Sequence, residues 1–447
     1  MFKNWTPAQV LASGFLALIT LGTLLLSLPF SAADGHEIGI IDALFTSASS
    51  VCVTGLIVKD TPNDFSLFGQ IIIMVLVQIG GLGYMTASTV IALLLGKRIG
   101  LRDRLVMREG LNVLSLEGMI RFTRMIVWVT LGIEGIAAGI LFLRFSYDFS
   151  YPRAIYLGVF HSITSFNNAG FALFSDNLTG YRGDLTVNLV VMGLIILGGA
   201  GFIIFSDLFK YFTRENLFLS LHTKLTLSVM GVLTIGGALL LFFFEMYNSG
   251  TMAGLPFKEK ALASLFHSVS ARTAGFNTLN IGSMANDSLF ILIILMVIGA
   301  SPGSTGGGIK TTTFGVMIAA LWATMLGRQD NMVFRRRLPM ELIARAFLLT
   351  TMVSIIIIAS TTVLLLTENK SVTMTLFEVA SAFGTVGLSV GDGGVLSLSA
   401  LFSTLGKIII TITMYIGRIG PLLLSMAIMG HAKPQRFRYP EERVLIG

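Results

Sequence analysis

Long apolar runs alternate with short polar breaks along this chain, and one compound unit of that alternation occurs four times. Each unit holds a run long enough to cross a bilayer, a shorter amphipathic segment, a tight loop with a single glycine, and a second long run. The first runs cover residues 10–30, 125–145, 225–244 and 346–366. At 1.5 Å per helical residue, ~20 residues reach ~30 Å, the thickness of a bilayer core. The short segments cover 42–51, 152–166, 258–271 and 372–384. Each reaches only roughly 15 to 22 Å as a helix, so it dips into the membrane and turns back. Helix-start residues support this, with Asp42 as an N-cap, Pro152 in a first turn and Ser371 ahead of the fourth segment. The second runs cover 68–95, 185–208, a stretch from 289, and 400–429. The pattern predicts eight spans and four re-entrant half-helices.

The four loops share a chemistry. They read Val53-Thr54-Gly55-Leu56, Asn168-Ala169-Gly170-Phe171, Thr273-Ala274-Gly275-Phe276 and Thr385-Val386-Gly387-Leu388, with glycines 115, 105 and 112 residues apart. The second runs carry a matching echo in Ile79-Gly80-Gly81, Leu197-Gly198-Gly199, Ile298-Gly299-Ala300 and Ile416-Gly417-Arg418. Two sets of landmarks at matching offsets mark an internal repeat. Irregular backbone at membrane depth is tolerated only against protein or a water-filled cavity. Each half-helix aims its negative C-terminal end at such a cavity and so favours a cation there. Stripping water from a small cation costs on the order of 20 kcal/mol in a low-dielectric medium. A ring of backbone carbonyls offsets that cost, and a glycine allows the backbone angles the ring needs. The loop at Thr385 lies nearest to a potassium filter sequence. The loops are unequal, because Gly275 is nine residues from Phe266, against ten for Gly55, Gly170 and Gly387 from Phe45, Phe160 and Phe377.

Composition fixes the class. The chain is 54% apolar and 12% charged, with mean hydropathy +0.82. Long continuous apolar runs point to a helical membrane protein rather than a β-barrel. The first run is long enough to span, and it supplies the first repeat's outer helix rather than a cleaved leader. A single cysteine, Cys52, excludes an internal disulfide. The net charge of +7 does not point to nucleic acid, because 21 of the 31 Lys and Arg residues fall on one side of the predicted topology and nine on the other. The richer side is cytoplasmic, which puts both termini there and opens the loops outward.

The third second run departs from its counterparts. As one helix, residues 289–326 would be ~57 Å long. Five glycines and Pro302 within 299–313 do not hold a helix. The segment reads as a flexible intramembrane loop beneath the filter. A phosphate-binding loop fails on spacing, since Ile309 separates Gly308 from Lys310. Arg418 lies inside the fourth run, level with this loop by repeat alignment; a charge at that depth faces a cavity or a partner. Glu134 is a second charge at lipid depth, assigned a structural partner. His161 and His267 occupy matching places in Phe-His-Ser triplets behind the filter, where packing and hydrogen bonding are expected. Cys52 reads as a small apolar residue. No grouping of residues suggests an enzyme or a bound cofactor.

Val-Thr-Gly-Leu, Asn-Asn-Ala-Gly-Phe, Arg-Thr-Ala-Gly-Phe and Phe-Gly-Thr-Val-Gly-Leu together resemble the Ktr/Trk/HKT superfamily of potassium transporters, and most of all its KtrB type, over nearly the whole chain. A first pore span within ten residues of Met1 favours that type over the TrkH type, which adds a helical hairpin ahead of it. The resemblance implies an all-α integral membrane protein with four M1–P–M2 repeats in one chain around a pseudo-fourfold cation pore. The repeats are expected at 1–100, 101–210, 211–330 and 331–430, with a cytoplasmic tail at 431–447. It implies a potassium filter of Val53, Thr54, Gly55, Asn168, Ala169, Gly170, Thr273, Ala274, Gly275, Thr385, Val386 and Gly387. A glycine at position 55 implies potassium over sodium. It implies a gate of Gly303, Gly306, Gly307, Gly308 and Lys310 with Arg418 projecting into the pore. It further implies potassium uptake across a bacterial cytoplasmic membrane, sodium as a modulator, a homodimer, and a cytoplasmic KtrA-like ring of nucleotide-binding subunits. A sodium-coupled symporter is the alternative.

Overall fold

The computed structural model of the protein describes residues 5–83, 85–86, 89, 100–110, 118–214, 217–328, 330–391 and 395–429. The expected tail at 431–447 lies outside the described residues. The four outer helices are Pro7–Leu26, Met119–Phe145, Leu221–Glu245 and Met340–Glu368. Each contains a window of mean hydropathy 2.0 to 2.3 and is long enough to cross a bilayer. Large apolar side chains such as Leu16, Leu24, Trp128, Ile136, Val232, Phe243, Ile355 and Leu366 stand exposed on them. Such a surface is stable against acyl chains and not against water.

The half-helices are Ile40–Val51, Tyr151–Phe166, Phe257–Ser270 and Val372–Gly384. They form the centre of the molecule. Phe45, Phe160, Phe266 and Phe377 are fully buried, one per half-helix. Three half-helices are pinned to their outer helices by matching bonds, in which Ser47, Ser162 and Ser268 each donate at 2.7 Å to the carbonyls of Ile19, Glu134 and Thr234. Ser371 accepts from the Met374 N–H, as expected of an N-cap. Asp42 is not a cap. Gly39 occupies that place, and Asp42 turns from the first helical turn to pair with Lys407 at 2.7 Å.

The inner helices are Leu67–Leu82, Leu185–Ala200, Asn286–Val297 and Thr404–Ile419. All four break, whereas the apolar pattern suggested a break in the third alone. The first, second and fourth end at Gly83, Gly201 and Gly420, with φ of 79°, 96° and 91° and ψ of 129°, 141° and 137°. That conformation is open to glycine and closed to most other residues. Phe202–Phe212 follows the second break at 93°, and Pro421–Met429 follows the fourth. Among the described residues, four helices are long and apolar enough to cross a membrane, or six when each bent pair counts as one span. In the third repeat an irregular segment, residues 298–310, takes the place of the single glycine before the helix Thr311–Met325.

Candidate functional site

Each loop after a half-helix adopts the same unusual backbone. Val53, Asn168, Thr273 and Thr385 have φ of 58°, 58°, 75° and 51°, and Gly55, Gly170, Gly275 and Gly387 have φ of 89°, 69°, 78° and 95°. The residue between them keeps negative φ in every loop. Alternating handedness over three residues prevents the chain from winding into another helical turn. A left-handed Val53 is a strained β-branched residue. It is held by short bonds, including Thr54 N–H to the Ser49 carbonyl at 2.7 Å. Loops two and four repeat this bond at 2.8 Å, from Ala169 to Thr164 and from Val386 to Ser381. In loop three it runs from Ala274 to Ser270 and spans one residue fewer, which accounts for the shorter spacing from Phe266.

The loops close a ring. A Cβ added to Gly55 would stand 2.5 Å from the Ala169 carbonyl oxygen; on Gly170, 2.8 Å from that of Ala274; on Gly275, 2.2 Å from that of Val386; and on Gly387, 2.2 Å from that of Thr54. Each glycine thus abuts the next loop in chain order, and the fourth abuts the first. A second tier of close approaches lies below. A Cβ on Gly80, Gly198 or Gly417 would meet the carbonyl oxygen of Val51, Phe166 or Phe383 at 2.1, 1.8 and 2.0 Å. These are the carbonyls at the half-helix ends, so the glycine echo in the inner helices is explained in three repeats. The third differs: Gly299 faces the Gly307 carbonyl instead, because residues 298–310 fold back at that point.

The ring separates two cavities. The outer one, about 820 Å³, is lined by all four ring glycines together with Asp60, Asp176, Arg182 and Lys370. The inner one, about 480 Å³, is lined by Gly303, Gly306, Gly308, Lys310 and Arg418. The segment between Ile298 and Lys310 was expected to be flexible. It is hydrogen-bonded along most of its length, because the half-helix ends and inner-helix breaks around it leave carbonyls without helical partners. Ser301 and Thr305 N–H donate to the Gly199 and Gly198 carbonyls at 3.1 and 3.3 Å, and Ile309 N–H donates to Val297 at 3.1 Å. Phe202 N–H donates to Gly303 at 2.9 Å, which ties the second inner-helix break to the loop. Gly307 N–H donates to Thr385 Oγ1 at 2.9 Å. These four amides and that of Phe202 are spent within the protein.

Arg418 lies against this loop. The guanidinium donates to the carbonyls of Thr305 and Gly80 and, at 3.2 Å, to Gly81. Lys310 Nζ donates to the Gly306 carbonyl at 2.7 Å. Both cations therefore lean on carbonyls of a single loop below the ring. Glu134 accepts from Gln78 and Asn167, each at 3.1 Å. His161 contacts the Leu157 carbonyl through Nδ1 at 2.8 Å and accepts from Leu173 N–H at Nε2. His267 contacts Ala263 in the same way at 2.9 Å. Cys52 is fully buried.

Two features escaped the sequence reading. Glu378 is fully buried behind loop four and accepts from Ser389 at 2.6 Å and from the Ser399 amide and hydroxyl at 2.9 and 2.5 Å. Its signal was available, since Phe377-Glu378 stands where Phe160-His161 stands in repeat two. Arg272, three residues before Gly275, is buried and donates to Thr234 at 2.6 Å.

A predominantly helical membrane protein whose single chain closes four half-helix loops into one ring is a four-repeat cation pore. The chain belongs to the TrkH family of cation transport proteins, whose match covers residues 3–436. It is 41% identical over 444 residues to Ktr system potassium uptake protein B of Bacillus subtilis, covering 99% of this chain and 97% of that protein. It is 37% identical to the protein of the same name from Vibrio alginolyticus, covering 100% and 96%. It is 35% identical to the potassium/sodium uptake protein NtpJ of Enterococcus hirae, covering 100% and 98%. The crystal structure of the potassium transporter TrkH from Vibrio parahaemolyticus shares the fold with TM-score 0.70 at 19% identity, over 93% of this chain and 84% of that one.

Proposed function

We propose that this protein takes up potassium through the ring, as the membrane subunit of a multi-component system in a bacterial cytoplasmic membrane. The observation that carries the reading is the closed order Gly55, Gly170, Gly275, Gly387, in which each glycine meets the next loop's carbonyl. Carbonyls drawn into one ring replace a cation's water shell. The names of the Bacillus and Vibrio relatives support potassium as the ion. The filter is Val53-Thr54-Gly55, Asn168-Ala169-Gly170, Thr273-Ala274-Gly275 and Thr385-Val386-Gly387, and the repeats divide at 1–100, 101–210, 211–330 and 331–430.

In this reading the loop bearing Gly303, Gly306, Gly307, Gly308 and Lys310 closes the pore, and Arg418 places a positive charge beneath the ring. Both termini are cytoplasmic. The chain works as a homodimer on a cytoplasmic ring of nucleotide-binding subunits, whose state reaches the loop from below. A sodium-coupled symporter is the second reading, favoured by the potassium/sodium uptake name of the Enterococcus relative. Rubidium-tracer uptake by the purified chain in liposomes tests the proposal. Uptake blocked by excess potassium and indifferent to a sodium gradient is the expected result. Uptake that requires the sodium gradient supports the symporter, and absence of uptake with the cytoplasmic partner present overturns both.

A further inference from the structure

At the lower end of the ring one hydroxyl, on Thr385, accepts a hydrogen bond from the loop beneath it, and the loop packs closely against a second, on Thr273. In loops three and four the first residue stands against residues 298–310. The first residues of the four ring loops are Val53, Asn168, Thr273 and Thr385, so at that position only the third and fourth loops, which are neighbours in the ring, bring hydroxyls. Gly307 N–H donates to Thr385 Oγ1 at 2.9 Å. A Cβ on Gly307 would stand 2.5 Å from that same oxygen, and one on Gly306 would stand 2.1 Å from Thr273 Oγ1. The two consecutive glycines therefore allow the loop to seat directly on the two threonines. Thr273 Oγ1 is also bonded to the Asn168 side-chain amide at 3.1 Å. From below, Arg418 and Lys310 hold the carbonyls of Thr305 and Gly306, the two residues just before Gly307.

We propose that Thr385, with the loop packed beside Thr273, latches the intramembrane loop to the lower end of the ring, and that a potassium ion entering the lowest ring position competes with the loop for the Thr385 hydroxyl oxygen. The inference rests on the potassium-pore reading. A hydroxyl oxygen has two lone pairs, and a cation drawing on them weakens its acceptance from Gly307 N–H. The permeant ion thereby favours release of the loop, and the gate responds to what occupies the filter. Thr385 acts here as a positioning residue for the loop.

The test uses the full chain with Cys52→Ala and a spin label on Ser304→Cys, in liposomes, with loop mobility read as potassium is added. With Thr385 intact, mobility is expected to rise with potassium and not with sodium. Thr385→Val is expected to leave the label mobile without potassium and to raise resting rubidium flux about fivefold, the factor one neutral hydrogen bond is worth. Thr385→Ser is expected to restore the potassium response. Gly307→Ala reaches the latch from the loop's side, keeps the Thr385 hydroxyl while its Cβ crowds it, and is expected to behave as Thr385→Val does. Mobility indifferent to potassium with Thr385 intact, or Thr385→Val and Gly307→Ala that both keep the response, overturns the proposal. If the Thr385-intact chain carries no rubidium, the transport reading fails on that measurement, while the latch is still judged by the potassium-free mobility of the two variants.

Discussion

At the residue scale, a single methyl group separates tolerated from intolerable at the ring. Gly35 and Gly387 both hold left-handed φ, 74° and 95°, but a Cβ on Gly35 meets nothing within 4 Å while one on Gly387 stands 2.2 Å from the Thr54 oxygen. Side chains at the two sites thus share the backbone cost, about 1–3 kcal/mol, and only Gly387 adds a collision with the neighbouring loop. Charge matters at the same scale. Arg418 donates to Thr305 and to the inner-helix carbonyls of Gly80 and Gly81, so it joins the loop to two other repeats. Arg418→Ala removes both the fixed charge and these bonds. Resting potassium flux is expected to rise, and flux that stays level or falls at normal expression removes Arg418 from the gate.

At the element scale, the breaks in the inner helices shape the pathway. The three break glycines share one backbone conformation but not one environment. A Cβ on Gly420 meets nothing within 4 Å, whereas a Cβ on Gly201 stands 2.6 Å from the Pro302 carbonyl oxygen in the intramembrane loop. Gly420→Ala is therefore expected to cost about 1–3 kcal/mol from backbone strain alone. Gly201→Ala is expected to cost more and also to raise resting flux, because it pushes on the loop. Thermal unfolding of the two variants in detergent, read beside flux, checks the order; equal destabilisation with equal flux contradicts it. These breaks were not legible in the sequence. A glycine in an apolar run reads as a tolerated helix residue, and nothing local marks the three that take φ near 90°. The half-helices were legible because their starts carry local chemistry: Val372–Gly384 matches its expected bounds, with Ser371 as its cap. Asp42 misled, since an acidic residue suits the first turn as well as the cap. Left-handed Val53 and Thr385 were hidden too, because that strain is imposed by ring closure and not by the residues themselves.

At the scale of the whole molecule, four repeats in one chain allow four different loops. The polar ring-facing side chains at the lower end come from the second, third and fourth repeats, the intramembrane loop from the third and Arg418 from the fourth. A homotetramer repeats every loop and every arginine four times and has no such asymmetry. The repeat and the ring's glycines were legible from spacing alone. The seat of the loop on Thr385 was not, since it depends on residues brought together only by folding, and the carboxylate behind loop four left only its place in the Phe-x pair of the repeat as a signal. The claim on which the rest depends is that the four glycine loops form the selectivity filter. Potassium and sodium fluxes through Gly387→Ser in liposomes test it most directly, with Gly35→Ser as the control for backbone strain. The account predicts that Gly387→Ser loses its preference for potassium over sodium while Gly35→Ser keeps it. Potassium preference unaltered in a folded, conducting Gly387→Ser protein would contradict it.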